Sequence, residues 1–317
     1  MTDVTPAAPA ERDVQAAEFA RVVCVRHFGG EARRITRQGG GLSNAVFLVD
    51  HAAGQFVVRL SDAPGRLAAY RKEQWAVALA QASGVPTPEI IAVGDDLVPC
   101  AHMIARRVAG HEASHHPRRL EVLRELGHWA AAINTTATQG WGGAFDEARG
   151  RVARHDDWSD YLRDELRLEP RLETLERQRM TTPACIARLR GVIEAAATLN
   201  PGPTLNHGDL RLKNVLVDDD GAITAIIDWE TSGSFLAPAW ELSIALHDLA
   251  IEAKHAFLAG YGIAPEALEA LAPLMKAFNI INYAPEIERL YAVGDLDALA
   301  RIRMRLSGAL DLYSLVV

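Results

Sequence analysis

One stretch constrains this chain more than any other. From Leu205 to Glu230 it reads LNHGDLRLKNVLVDDDGAITAIIDWE. VLV and AITAIID are short apolar runs joined by DDDG, a strong turn signal, and the pattern predicts an antiparallel hairpin. Pairing the two runs brings Asp228 back beside the loop that holds Asp209 and Asn214. Carboxylates set among apolar segments are costly to bury unless something compensates them. The open end of the hairpin is therefore expected to hold positive charge. It offers two carboxylates and an amide carbonyl, with no cysteine and one histidine nearby, and such a hard oxygen set suits Mg²⁺. Mg²⁺ held by so few protein groups completes its shell with water and substrate phosphates.

The spacing narrows the chemistry. Asp209, four residues, then Asn214 is the D-x-x-x-x-N of a kinase catalytic loop, with His207 at the matching offset. That template needs two kinds of anion. One carboxylate stays off the metal and orients the attacking hydroxyl; another binds metal that bridges phosphate oxygens. Asp209 takes the first role, and Asp228 with Asn214 the second. His207 is read as structural, fixing the loop through backbone hydrogen bonds. The competing reading is a polar cluster that merely caps a hairpin, and DDDG itself is read as a surface turn.

The remainder of the 317 residues supplies a setting. A net charge of −8 argues against nucleic-acid or anionic-membrane partners. Three scattered cysteines, Cys24, Cys100 and Cys185, suggest neither disulfides nor zinc, and fit thiols in a reducing cytoplasm. No leader segment and no membrane-spanning run is read. Residues 1–10 are Pro/Ala-rich and expected to be disordered, with a helix from Asp13 to Phe28. ITRQGGGLSNAVFLVD, GQFVVRL, EIIAVG and AHMIARRV read as strands, with one helix inserted around Glu73. After Gly110 helical spacing dominates: Leu120, Leu123, Leu126, Ala130 and Ile133; Leu268, Leu271, Leu274, Met275 and Phe278; Leu299, Ile302, Leu306, Leu310 and Tyr313. The expected fold is α+β and two-lobed. A small antiparallel β lobe covers residues 1–108, and a larger, mainly helical lobe covers 109–317.

HGDLRLKNVLV followed by IIDWE resembles the aminoglycoside phosphotransferase and choline-kinase family, which shares the protein-kinase-like fold. Gly208 in place of the protein-kinase Arg, and DWE in place of D-F-G, point to this small-molecule branch. The resemblance is strongest over Gln38–Glu73 and Leu205–Leu242, and GVPTPEI and ITAIIDW are similar to hygromycin-type kinases. It implies ATP or GTP with Mg²⁺ in a cleft between lobes. Gly39, Gly40 and Gly41, with the Ser43 hydroxyl, would let backbone N–H groups approach phosphate. Arg59 would grip phosphate where many kinases use Lys, with Glu73 as its partner. An exposed strand-edge Arg and a solvated helix Glu are the competing readings. Lys72 is expected to face solvent. Backbone near Arg106 and Val108 would meet adenine. Arg211, two residues after Asp209, either touches the transferred phosphate or is solvated.

For the acceptor, the resemblance implies helices of the second lobe. Asp157 and Asp160 lie in an acid-rich segment, 145–165, that otherwise reads as a salt-laced helix exterior. Glu230 would stand beside the metal or substrate, and Glu241 would support the loop or touch substrate. HEASHH is read as a solvated loop. The function expected is phosphoryl transfer to a hydroxyl of a small molecule, an aminoglycoside or related antibiotic first, by a monomer or homodimer. A metabolite kinase acting on an amino alcohol, sugar or homoserine, and a nucleotide-binding pseudokinase, are the alternatives. A two-metal phosphohydrolase would need further His and Asp ligands that the sequence does not offer.

Overall fold

The computed structural model describes residues 9–38, 45–199 and 202–312. Residues 1–8 of the stretch expected to be disordered, the glycine turn Gly39–Ser43 and Tyr313 therefore lie outside the described residues, whereas Pro9 and Ala10, expected to be disordered too, open the first helix. Helix α1 (Pro9–Phe28) precedes β1 (Arg34–Gln38), β2 (Ala45–His51) and β3 (Gly54–Ser61). Helix α2 (Arg66–Ala82) follows, then β4 (Ile90–Gly94) and β5 (Ala101–Arg106). The five strands form one antiparallel sheet in the order β1-β2-β3-β5-β4.

Strand alternation decides what each face does. Along β2 and β3, Phe47, Val49, Phe56 and Val58 are buried and pack with Ala20, Val23 and Cys24 of α1. The residues one step out of phase, Val46, Leu48, Val57 and Arg59, line a cavity on the other face. Because side chains alternate along a strand, a one-residue slip would drive Arg59 into the α1 interface. The hydrophobic pattern thus fixes where that cation points.

The rest of the chain is mainly helical, with α3 (Arg119–Thr135), α4 (Trp158–Asp164), α5 (Leu168–Arg177), α6 (Pro183–Leu199), α7 (Ala239–Ala245), α8 (Ile251–Tyr261), α9 (Pro265–Asn282), α10 (Ala284–Val293) and α11 (Leu296–Leu312). Their apolar faces share one core, in which Trp229, Phe257 and Phe278 are almost wholly buried. Trp240 packs on Phe235 and Phe278, with ring centroids 4.6 and 5.0 Å apart. Ala76, Val77 and Ala80 place one face of α2 in this same core. Among the described residues no helix is long and apolar enough to cross a membrane.

Short strands interrupt the helices: β6 (His111–Glu112), β7 (Phe145–Asp146), β8 (Arg151–Val152), β9 (Thr204–Asn206), β10 (Val215–Val217), β11 (Ile223–Ile226) and β12 (Gly233–Phe235). The predicted hairpin is β10–β11, with Val215 opposite Ile226. β6 adds a third strand beside β10, so HEASHH opens as strand and a 3-10 turn rather than as loop, and His116 is buried. β9 pairs with β12. The acid-rich segment expected as helix exterior starts instead as the β7–β8 hairpin. Its arginines fold back on its acids, Arg149 and Arg151 both reaching Asp156.

Candidate active site

The loop between β9 and β10 is held from below by a buried carboxylate. Glu241 of α7 is fully buried and accepts hydrogen bonds from the backbone N–H groups of His207 (2.6 Å) and Gly208 (3.1 Å). Its place among the acceptor residues is thereby corrected: with no exposed surface it holds the loop and does not reach a substrate. Burial pushes its carboxyl up to about 7, with the two backbone donors opposing that rise. Gly208 has φ +79°, and a Cβ there would lie 2.5 Å from the Thr231 carbonyl oxygen. Only glycine fits that turn without strain.

His207 is also wholly buried. Its Nδ1 accepts from the Asp209 N–H (3.2 Å) and its Nε2 donates to the Ile227 carbonyl (3.1 Å). Those two bonds demand the neutral ring, and burial drives its pKa down to about 4. The structural role read from the sequence matches this geometry.

Above this floor stand the polar groups. Asp209 keeps 17% of its side chain exposed and is gripped by three partners. Arg211 Nε lies 2.8 Å from Oδ1 and Lys213 Nζ 2.9 Å from Oδ2, and Asn214 Nδ2 donates to Oδ2 at 3.0 Å. The Ile227 N–H donates to the Asn214 carbonyl (2.9 Å), tying the loop to the strand before Asp228. Asp228 adopts a left-handed φ of +65°, a conformation uncommon outside glycine and concentrated at functional sites. Burial first, then the neighbouring Glu230 carboxylate, pushes the Asp228 carboxyl above its ordinary value, and Arg59 and Lys213 offset part of that. Among the described residues its carboxylate makes no ion pair.

Asn214 and Asp228 line a cavity of about 630 Å³ between the sheet and the hairpin. Arg59, Glu73, Val108 and Glu230 line it too, as do Gln38 and Val46, the paired residues flanking the segment that carries Gly39, Gly40, Gly41 and Ser43. Arg59 bonds Glu73 at 2.7 Å, both largely buried. Glu73 Oε1 has no partner, and desolvation outweighs Arg59 in setting its carboxyl above the ordinary value. Glu230 approaches Arg66 (3.5 Å) and Arg59 (3.9 Å), on this side of the site. The Arg106 side chain pairs with Glu89 at 2.9 Å on the surface. Lys72, expected in solvent, is half-buried, and desolvation lowers its pKa.

A second cavity, about 320 Å³, lies on the far side of Arg211. His247, Asp248, Asn279, Tyr283 and Arg305 line it. Asp157 and Asp160 line neither cavity; Asp157 precedes α4, and Asp160 pairs with Arg163 at 2.8 Å. Sequence reading missed Lys213 and this second lining. Lys213 had a signal: it is one of only four lysines, and it stands four residues after Asp209. The second lining had none, since its residues come from separate parts of the chain.

A sheet whose inner face bears a paired cation, set over a hairpin bearing amide and carboxylate oxygens, defines a kinase-like phosphotransferase. The profile of the phosphotransferase enzyme family (APH) matches residues 34–274, and the chain belongs to that family: it is a small-molecule kinase. The fold is that of solved aminoglycoside phosphotransferases. A thermostable mutant of APH(4)-Ia, in ternary complex with AMP-PNP and hygromycin B, superposes with a TM-score of 0.66 at 17% identity, covering 96% of this chain and 99% of that one. A protein from Ralstonia eutropha JMP134 gives 0.59 at 17% identity, covering 93% and 97%. The GDP and kanamycin complex of APH(2")-IIIa gives 0.58 at 15% identity, covering 93% and 97%. No curated protein sequence matches the chain.

Proposed function

We propose that this enzyme moves the γ-phosphate of ATP or GTP to a hydroxyl of a small molecule, with Mg²⁺ as the metal. The observation that carries the reading is that Asn214 and Asp228, the latter without an ion pair among the described residues, line the same cavity as Arg59. Residues 1–108 would bind the nucleotide and 109–317 would hold the loop, the metal residues and the acceptor.

The donor set fits the metal. Among the described residues no three His, Cys, Asp or Glu side chains gather to hold a metal unaided. Asp228 and Asn214 would hold Mg²⁺, with phosphate oxygens and water completing a shell of the kind this ion accepts. When bound, the metal neutralises charge developing on the phosphates. Arg59, fixed by Glu73, presents its remaining N–H groups to phosphate oxygens, and backbone near Arg106 and Val108 would meet the base. Gly39, Gly40, Gly41 and Ser43 are proposed to cover the phosphates. Asp209 orients the acceptor hydroxyl, whose oxygen attacks the γ-phosphorus. The bond from that phosphorus to the β–γ bridging oxygen breaks, and the hydroxyl proton passes to Asp209. Arg211 and Lys213 hold the Asp209 carboxylate in position through the step. Catalysis then rests on alignment and charge neutralisation.

An aminoglycoside or related antibiotic is the acceptor suggested by the molecules bound to the structural neighbours, and resistance would be the role. A smaller metabolite is the second reading. The observation in its favour is the pair of arginines in the second cavity. Nothing in the acid-rich segment supports a polycation site at Asp157 or Asp160. The free thiols among the described residues are compatible with a cytoplasmic setting.

Thermal-shift titration tests the nucleotide half: ATP or GTP with Mg²⁺ should stabilise the protein by about 2.7 kcal/mol at a hundredfold excess over Kd. ADP or GDP release across antibiotics and metabolites tests the transfer half. Asp209→Asn should lose turnover by about 10³-fold or more while keeping the nucleotide shift. Full turnover in that variant would remove Asp209 from its role.

A further inference from the structure

We propose that the acceptor carries an anionic group, a carboxylate or a phosphate, beside the hydroxyl it presents, and that Arg211 and Arg305 bind that group in the second cavity. The proposal rests on the phosphotransferase reading above and names the chemistry of its acceptor.

Position comes first. Arg211 lines the 320 Å³ cavity, and its Nε lies 2.8 Å from Asp209 Oδ1. A molecule seated there has the catalytic carboxylate one guanidinium away. The volume is at the small end for ligand cavities and suits a compact acceptor.

Charge comes second. The catalytic loop contributes Arg211, and α11 contributes Arg305. From α8 the field of Lys254 reaches His247, and from α5 Arg171 donates to Asn282 on the lining at 3.1 Å. Arg171 has no carboxylate partner among the described residues. Of these cations Arg211 and Arg305 stand on the lining itself, and its one carboxylate, Asp248, is shared by their two guanidiniums. Arg211 approaches Asp248 at 3.5 Å and Arg305 at 3.3 Å. Both separations exceed the about 2.7–2.9 Å of a tight charge-assisted pair. Asp209, the next acid, is already held by Lys213 as well as Arg211. Arg211 and Arg305 both line the cavity with 42% and 59% of their side chains exposed, and Arg305 also hydrogen-bonds Tyr283. The guanidinium fork matches carboxylate and phosphate oxygens. A polycation in this cavity would meet the like charges of Arg211 and Arg305.

The remaining wall is neutral and fixed. Asn279 Nδ2 donates to the Ser243 carbonyl (3.0 Å) and to His247 Nδ1 (2.9 Å). That leaves His247 Nε2 to donate to the Tyr283 hydroxyl, so the ring is uncharged, and its burial favours that form. The histidine adds no charge to this wall.

The test is isothermal titration of the full chain, saturated with ADP and Mg²⁺, at constant ionic strength. Four alcohols serve as probes: glycerol, glycerate, glycerol 3-phosphate and kanamycin. Glycerate or glycerol 3-phosphate should bind at least about tenfold more tightly than glycerol and kanamycin, the factor expected from one added charge-assisted pair. The better of the two identifies the anion. Arg305→Gln should erase the preference without changing ADP affinity. Asp248→Asn, which frees both guanidiniums, should enlarge it, and this second variant decides the matter if Arg305→Gln does not fold. Kanamycin binding more tightly than either anion, equal binding of all four, or no binding of the anionic probes overturns the proposal. Retained ADP binding in those cases leaves the phosphotransferase reading standing; loss of nucleotide binding in the parent removes both.

Discussion

Glu241 and His207 are one hydrogen bond apart and answer to pH in opposite directions. Burial raises the Glu241 carboxyl from 4.5 to about 7 and lowers the His207 ring from 6.5 to about 4. The folded protein holds the Glu241 proton more tightly than the unfolded chain does. Its contribution to stability is therefore complete below 4.5 and lost as pH rises through about 7. His207 is the reverse: its contribution is complete above 6.5 and lost as pH falls through about 4. At ~1.4 kcal/mol per pKa unit each linkage amounts to about 3 kcal/mol, and across the shared window the two oppose one another. Glu241→Gln should unmask the histidine. Denaturant unfolding at a series of pH values should show stability rising with pH between about 4 and 6.5 more steeply in the variant than in the parent. Unchanged slopes would sink this account. The variant also turns an amide N–H toward the backbone donors of the loop, which should cost about 1–3 kcal/mol at any pH.

At the scale of elements, α3 and α8 touch through glycine. A Cβ on Gly260 would overlap the Arg124 carbonyl, and one on Gly127 would overlap the Phe257 carbonyl. Both obstacles are helix backbone, which cannot swing aside. Gly260→Ala should destabilise the fold by about 1–3 kcal/mol, seen as a lower Tm, with kcat of the folded fraction unchanged. A variant as stable as the parent would mean the helices part without loss. Periodicity revealed α3 and α9 because long amphipathic repeats determine which face is buried. The β10–β11 hairpin was equally legible, since its turn residues permit little else. β6 and β7–β8 were not: two-residue strands carry no periodic signal, and only distant partners make them strands. Glu241 was half legible. Its type and position pointed to the loop, but its complete burial depends on how α7 packs beneath Gly208. Lys72 was read as solvated because its neighbour Glu73 faces inward, yet it is half-buried, and Glu230 and Glu165 from the second half of the molecule are among the charges that reach it.

The whole molecule is joined by α2, which carries Glu73 to Arg59 on one side and Ala76, Val77 and Ala80 into the large core on the other. Removing one partner of a buried ion pair leaves a bare charge, so Glu73→Ala should destabilise the protein by about 3–5 kcal/mol. It should also lose most of the thermal shift given by Mg²⁺ and nucleotide, because Arg59 is then free to swing away from the phosphates. A shift equal to the parent's would show that Arg59 needs no such anchor. The join elsewhere is short. β5 ends at Arg106 and β6 starts at His111, so residues 107–110 alone separate the two sheets. They have no slack: the Arg107 N–H donates to the Gln55 carbonyl, and the Thr224 hydroxyl donates to the Ala109 carbonyl. β6 lies directly against β10, the strand that follows Asn214. Any rocking of the upper half would pull on this crosspiece, and the crosspiece is fastened to the strand that follows Asn214, the amide proposed to hold the metal. Opening and closing of the crevice would then be felt at the reacting centre as a mechanical tug, delivered without any intervening loop to absorb it.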